Sequence, residues 1–164
     1  MTHAQRYLRQ AAVVALTVDS EALEKLARAL ADLRQRGGRL FLLGSASESV
    51  SQLRSLAGIE ATGPGDWLVD DVTANDAVLL LTSTGERPAT GLLETLAEVR
   101  ARRLLTLAIA AADTEWLPAC DELVFVPPLE GGLPFQSVIW HCLLSHPDVM
   151  IRPHKRMRKD RSAA

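Results

Sequence analysis

Cysteine is nearly absent from this chain of 164 residues, and the two present, Cys120 and Cys142, have no second cysteine or histidine at zinc-finger spacing. That excludes a disulfide framework and a structural zinc knot as the source of stability, and leaves reduced, packing thiols as the plain reading. His141, His146 and His154 lie close in sequence, but Pro147 interrupts any helix that would align the last two, so no metal site is expected. No apolar run approaches the roughly 20 residues that cross a bilayer, and residues 1–10 are too polar for the front of a secretory signal, so a cytoplasmic protein without membrane contact is expected. There is no Gly-Lys-Ser/Thr of a phosphate loop and no three-glycine dinucleotide pattern, and no cofactor is expected.

What the chain does have is a hydrophobic share of 48%, enough for one domain with a real core. Its net charge of −2 is unevenly spread. Residues 152–161 hold six Lys or Arg against one Asp, leaving 12 basic and 19 acidic residues elsewhere. Such a cluster can touch nucleic acid or an acidic partner. The acidic body favours instead a disordered, solubilising tail over residues 151–164, following a single domain of residues 1–150 that includes an N-terminal helical segment.

Residues 21–36 place Leu23, Leu26, Ala27, Leu30 and Leu33 on one helix face, with Asp19 and Ser20 as candidate caps. After Gly37-Gly38, residues 39–43 read Arg-Leu-Phe-Leu-Leu, the continuous apolar run of a strand covered on both faces. The alternation then repeats: strands near 77–81, 104–109 and 123–126, a shorter one near 59–62, and helices near 89–102, 114–120 and 135–145. Strands alternating with helices predict an α/β three-layer sandwich on a central, mostly parallel five-stranded sheet of Rossmann or flavodoxin type. The two termini are the stretches expected to be disordered.

In an open α/β sheet, ligands bind beyond the carboxyl ends of the strands, where helix N-termini offer free N–H groups to an anion. The turn after the first strand reads Gly44-Ser45-Ala46-Ser47-Glu48-Ser49, and that after the strand at 77–81 reads Thr82-Ser83-Thr84-Gly85-Glu86-Arg87. Both combine small residues with hydroxyls able to donate to phosphate oxygens. Helix capping explains either turn alone equally well.

The pair in this order, with Gly37-Gly38-Arg39-Leu40-Phe41-Leu42-Leu43-Gly44 before the first turn, resembles the sugar isomerase (SIS) family, especially its phosphoheptose isomerase branch and the related replication-initiator-binding proteins. The resemblance spans most of the chain. It implies that Ser45, Ser47, Ser49, Thr82, Ser83 and Thr84 hold the phosphate of a sugar phosphate, and that the chain assembles as a homo-oligomer or with a related SIS protein. Arg87 stands where the family has a hydroxyl, and a guanidinium can grip a phosphate bidentately.

The activity implied is aldose–ketose isomerisation resembling that of sedoheptulose 7-phosphate isomerase, which needs a base to carry a proton between adjacent carbons. The family's glutamate after the first turn and histidine in the last helix fall at Ala57 and Ile139 here, and the segment between the turns is short. Nearby substitutes are Glu48, Glu60 and Glu86 as base and His141 as acid. A surface carboxylate is the plain reading of each glutamate, and His141, beside Trp140, is as readily a packing side chain as a site residue. A non-catalytic binding or regulatory subunit partnering an active homologue is therefore the alternative.

Overall fold

The computed structural model describes residues 1–44, 61–62, 72–82, 90–111, 117, 120–127 and 136–150. Along the chain these form α1 (His3–Thr17), α2 (Ser20–Gln35), β1 (Leu40–Gly44), β2 (Ala61–Thr62), β3 (Ala77–Leu81), α3 (Thr90–Ala101), β4 (Leu105–Ala111), β5 (Glu122–Val126) and α4 (Gln136–Ser145). Of the helix expected near 114–120 only residues 117 and 120 are described, neither of them helical, and the basic tail at 151–164 lies outside the described residues. The amino terminus is a correction. It is not disordered but helical, opened by a capping box in which the Thr2 hydroxyl accepts from the Gln5 N–H and the Gln5 side chain accepts from the Thr2 N–H.

The five strands lie in the order β2-β1-β3-β4-β5, all in parallel. Alternate side chains of each strand serve opposite faces. Leu40, Leu42, Leu79, Leu81, Leu107 and Ile109 join Leu26, Leu30 and Leu33 of α2 and Ile139, Trp140 and Leu143 of α4 in one core. Phe41, Leu43, Val78, Leu80 and Ala108 pack on the other face against Leu96 and Val99 of α3. The result is an α/β sandwich of three layers, and no described helix is long and apolar enough to cross a membrane.

Helix α2 starts at Asp19, whose carboxylate accepts from the N–H groups of Glu21 and Ala22, and ends in a Schellman motif. There the N–H of Gly37 donates to Arg34 O and that of Gly38 to Leu33 O, with Gly37 at φ 67°. The end of α3 repeats these bonds with Arg103 at φ 58° in the glycine place: its N–H donates to Arg100 O, and that of Leu104 to Val99 O. At Gly38 a side chain is excluded, because a Cβ would stand 2.0 Å from the Asn75 carbonyl oxygen.

Just beyond Gly38 sits Asp76, 2% exposed. Its carboxylate accepts from the Arg39 N–H at 2.7 Å, the Arg39 guanidinium at 2.9 Å, the Thr73 N–H at 2.7 Å and the Thr73 hydroxyl at 2.9 Å. Burial is the largest single influence on this carboxyl and pushes its pKa up. The bonds from Arg39 and Thr73 together outweigh burial and hold it down at about 2. Arg39 also lies 5.0 Å over the Phe41 ring. Asp121 repeats the arrangement at the amino end of β5, accepting the Thr106 N–H at 2.7 Å.

Because the folded pKa of Asp76 lies below the ordinary carboxyl value, its contribution is complete above about pH 4 and is lost as pH falls through about 2. Acid titration of stability should therefore lose ~2 kcal/mol over that window, and Asp76→Asn should flatten that part of the profile and weaken the fold at neutral pH. Arg103→Gly should raise stability by about 1 kcal/mol in denaturant unfolding, by relieving the left-handed backbone of a side-chain-bearing residue.

Candidate functional site

A parallel sheet in the order 2-1-3-4-5 has its switch point between β1 and β3, because the chain leaves β1 for β2 on one side and returns to β3 on the other. Crevices form beyond the carboxyl ends of such strands. The two strands run in exact step, from Leu40 opposite Ala77 to Gly44 opposite Leu81. Both hydroxyl-rich turns thus depart from paired residues, on neighbouring strands about 5 Å apart.

Gly44 makes this closeness possible. It has φ 103°, and a Cβ there would lie 2.0 Å from the Leu81 carbonyl oxygen. A side chain at this position would force the ends of β1 and β3 apart. Read from sequence, Gly44 belongs to the turn; in the structure it is the last residue of the strand.

Of the expected site residues, Ser45, Ser47, Glu48, Ser49, Glu60, Ser83, Thr84, Glu86 and Arg87 lie outside the described residues. Thr82 is described and is 1% exposed. Its hydroxyl oxygen accepts the Ala111 N–H at 3.1 Å, and its own N–H donates to Ile109 O at 3.2 Å. Thr82 thereby extends the β3–β4 ladder one step past the strand end, a duty to the sheet that sequence reading missed.

His141 is exposed on α4, whereas Ile139 and Trp140 are buried in the core. Ile139, the position at which the family resemblance places a histidine, is 3% exposed and packs among Leu81, Ile109 and their neighbours in the same cluster. Two helical residues are about 200° apart, so His141 and Ile139 face different ways. Trp140 Nε1 is buried without a hydrogen-bond partner among the described residues.

After α4 the chain docks on α2. Arg34 donates to Val149 O and to Asp148 O, and His146 Nε2 meets Glu24 Oε2 at 3.0 Å. Because His146 Nδ1 accepts the Asp148 N–H, the neutral ring carries its proton on Nε2 and donates to Glu24.

The cysteines divide. Cys120 packs against the α3 side of the sheet, and burial, reinforced by the charge of Asp121 and opposed by that of Arg100, pushes its thiol up to about 11. It stays protonated and unreactive at neutral pH. Cys142 is exposed on α4 rather than packed in the core. Among the described residues, no three His, Cys, Asp or Glu side chains come together as a metal site.

Thr82→Val should cost about 1–3 kcal/mol in denaturant unfolding, because it leaves the buried Ala111 N–H unpaired, whereas Thr82→Ser, which keeps the acceptor, should remain close to the parent.

No protein-family model matches the sequence, and no curated protein is similar to it in sequence. Solved structures are similar in fold. Phosphoheptose isomerase GmhA from Neisseria gonorrhoeae superposes with a TM-score of 0.65 at 14% identity, over 86% of this chain and 93% of that one. A candidate sugar-phosphate isomerase from Listeria monocytogenes superposes with a TM-score of 0.61 at 14% identity, over 86% of each chain. The chain has the fold shared by these two proteins, which is the fold implied by its resemblance to the SIS family.

Proposed function

We propose that this protein binds a phosphorylated sugar beyond the carboxyl ends of β1 and β3 and acts on it as an aldose–ketose isomerase. One observation carries the reading: two turns rich in hydroxyls depart from paired residues at the switch point of a parallel sheet, with Gly44 keeping the strand ends close. Serine and threonine hydroxyls donate to phosphate oxygens, and a guanidinium adds charge. Ser45, Ser47, Ser49, Ser83, Thr84 and Arg87 are assigned to the phosphate. Thr82 supports them by fixing the end of β3.

Isomerisation moves the proton on the carbon next to the carbonyl. A base removes it to give an enediol and returns it to the former carbonyl carbon, while the two oxygens exchange their own proton. Glu48 and Glu86, one in each turn, are assigned as candidate bases, and His141 as the group serving the oxygens. The similarity of the fold to sugar-phosphate isomerases supports this class of reaction.

A second reading is favoured by a specific observation. Ile139 fills its position as a buried core residue, so neither it nor Ala57 offers the acid–base chemistry of the phosphoheptose branch. A protein that keeps the phosphate cradle without catalysis, working beside an active homologue, fits that arrangement.

The full chain should be incubated with ketose and aldose phosphates in heavy water and followed by proton NMR. Line broadening of the sugar phosphate with loss of the carbon-bound proton next to the carbonyl is the expected result. Ser83→Ala should weaken binding roughly tenfold, the worth of one hydrogen bond to a charged group. Broadening without exchange supports the second reading, and no contact at millimolar sugar phosphate defeats both.

A further inference from the structure

The last described stretch of the chain, residues 146–150, folds back from the end of α4 onto α2 as a strap. Val149, 3% exposed, is its apolar foot in the core shared by these two helices. Arg34 of α2 donates to the carbonyls of Asp148 and Val149. The N–H groups of Val149 and Met150 both donate to His146 O, at 3.0 and 2.9 Å. The His146 ring closes the strap: Nε2 donates to Glu24 at 3.0 Å, and Nδ1 accepts the Asp148 N–H at 3.2 Å.

This use of both ring nitrogens is open to one protonation state only. A donating Nε2 and an accepting Nδ1 make the ring neutral, and imidazole is the side chain that ordinarily changes charge between about pH 8 and about pH 5. A proton on Nδ1 would set donor against donor at the Asp148 N–H. An alternative acceptor stands close by, the Asp148 carboxylate, with Oδ2 4.0 Å from Nδ1. Among the described residues, the charged groups around the ring are Glu24 of α2, Asp148 of the strap itself and, beyond it on the Asp148 carbonyl, Arg34 of α2.

We propose that His146 is a proton-operated latch: uptake of one proton at Nδ1 exchanges its partner, from the Asp148 N–H to the Asp148 carboxylate, and loosens the strap on α2. Exposure decides the sign. The ring is 13% exposed, whereas the side chains of Glu24 and Asp148 are 52% and 61% exposed. Attraction of an imidazolium to such carboxylates is screened by water and worth little. Against it stand the cost of charging a largely buried ring and the loss of the bond that closes the turn. The strap is therefore tight where the ring is neutral and loosens as pH falls through the titration of the ring. Residues 152–161, with their six Lys or Arg, follow directly, so the latch sets how firmly the root of that cationic segment is held. The inference is independent of the proposed activity, since it uses no residue assigned to the sugar phosphate.

Amide hydrogen exchange followed by NMR on the full chain tests it, each rate being divided by that of a free peptide at the same pH. Protection of Val149 and Met150 should fall roughly fivefold from about pH 8 to about pH 5, the worth of one hydrogen bond. Leu79 and Ile109, buried in the sheet, should stay protected throughout. His146→Gln, whose amide both donates and accepts but takes up no proton, should show the same strap protection at both pH values.

The ring nitrogen shifts of the wild-type protein give a second readout that needs no variant: at about pH 8 they should show Nε2 protonated and Nδ1 bare. A ring protonated on Nδ1 there would overturn the inference. So would strap protection that stays constant over the range, that falls equally in His146→Gln, or that falls together with the protection of Leu79 and Ile109.

Discussion

The step of β1 against β3 is the constraint on which the rest of the fold rests. Asp76 fixes it at the amino end. Its buried carboxylate takes the Arg39 N–H and guanidinium from one strand's approach and the Thr73 N–H and hydroxyl from the other's, so slipping the strands by one residue would strip a buried charge of its donors. A slip would also exchange the two faces of β1, moving Phe41 and Leu43 into the layer of α2 and Leu40 and Leu42 into that of α3. From this register follows the pairing of Gly44 with Leu81, and from that pairing the closeness of the two turns. The glycine-glycine-arginine segment before β1 thus serves the site from its far end. Gly37 closes α2, Gly38 admits the Asn75 carbonyl, and Arg39 holds Asp76.

The sheet divides its labour along the strand direction. Its amino end carries charged and polar staples, Asp76 with Arg39 and Asp121 with Thr106, each carboxylate taking a backbone N–H of the neighbouring strand or its approach. Among the described residues, its carboxyl end is held by close approach at Gly44 and by the Thr82 hydroxyl. The fixed carboxylates are thus kept away from the turns proposed to receive a dianion, and charge that would repel a phosphate is spent where it stabilises the fold.

Much of this order was legible in the sequence because a strand covered on both faces must be apolar throughout, and Leu40, Leu42, Val78 and Leu80 satisfy that condition without ambiguity. Boundaries were less legible. Strand β4 continues through Ala110 and Ala111, whose small side chains carry no strand signal and which are held by pairing with Phe125 and Val126. The bounds of helix α1 were not legible because it places few residues in the core, so its periodicity points outward as much as inward. Asp76 was missed because an aspartate after Asn75 reads as turn chemistry, and nothing local announces that Arg39, 37 residues earlier, supplies its charge partner. Among site residues, the sequence could pair the two turns but could not assign Thr82 to the sheet, because a hydroxyl at a strand end serves a neighbouring N–H as readily as a ligand.

The last helix shows how packing limits chemistry. Its residues are apolar nearly all round, so periodicity alone could not tell which side meets the sheet. The structure turns Ile139, Trp140 and Leu143 inward and leaves Val138, His141, Cys142 and Ser145 outward. Placing a histidine at 139 would bury an imidazole among leucine, isoleucine and valine side chains, at a desolvation cost that the present core avoids. The choice between isomerase and binding protein therefore rests on side chains outside this helix's inner face. Either the outward His141 meets substrate from the exposed side of this helix, or proton transfer belongs to the carboxylates of the turns alone.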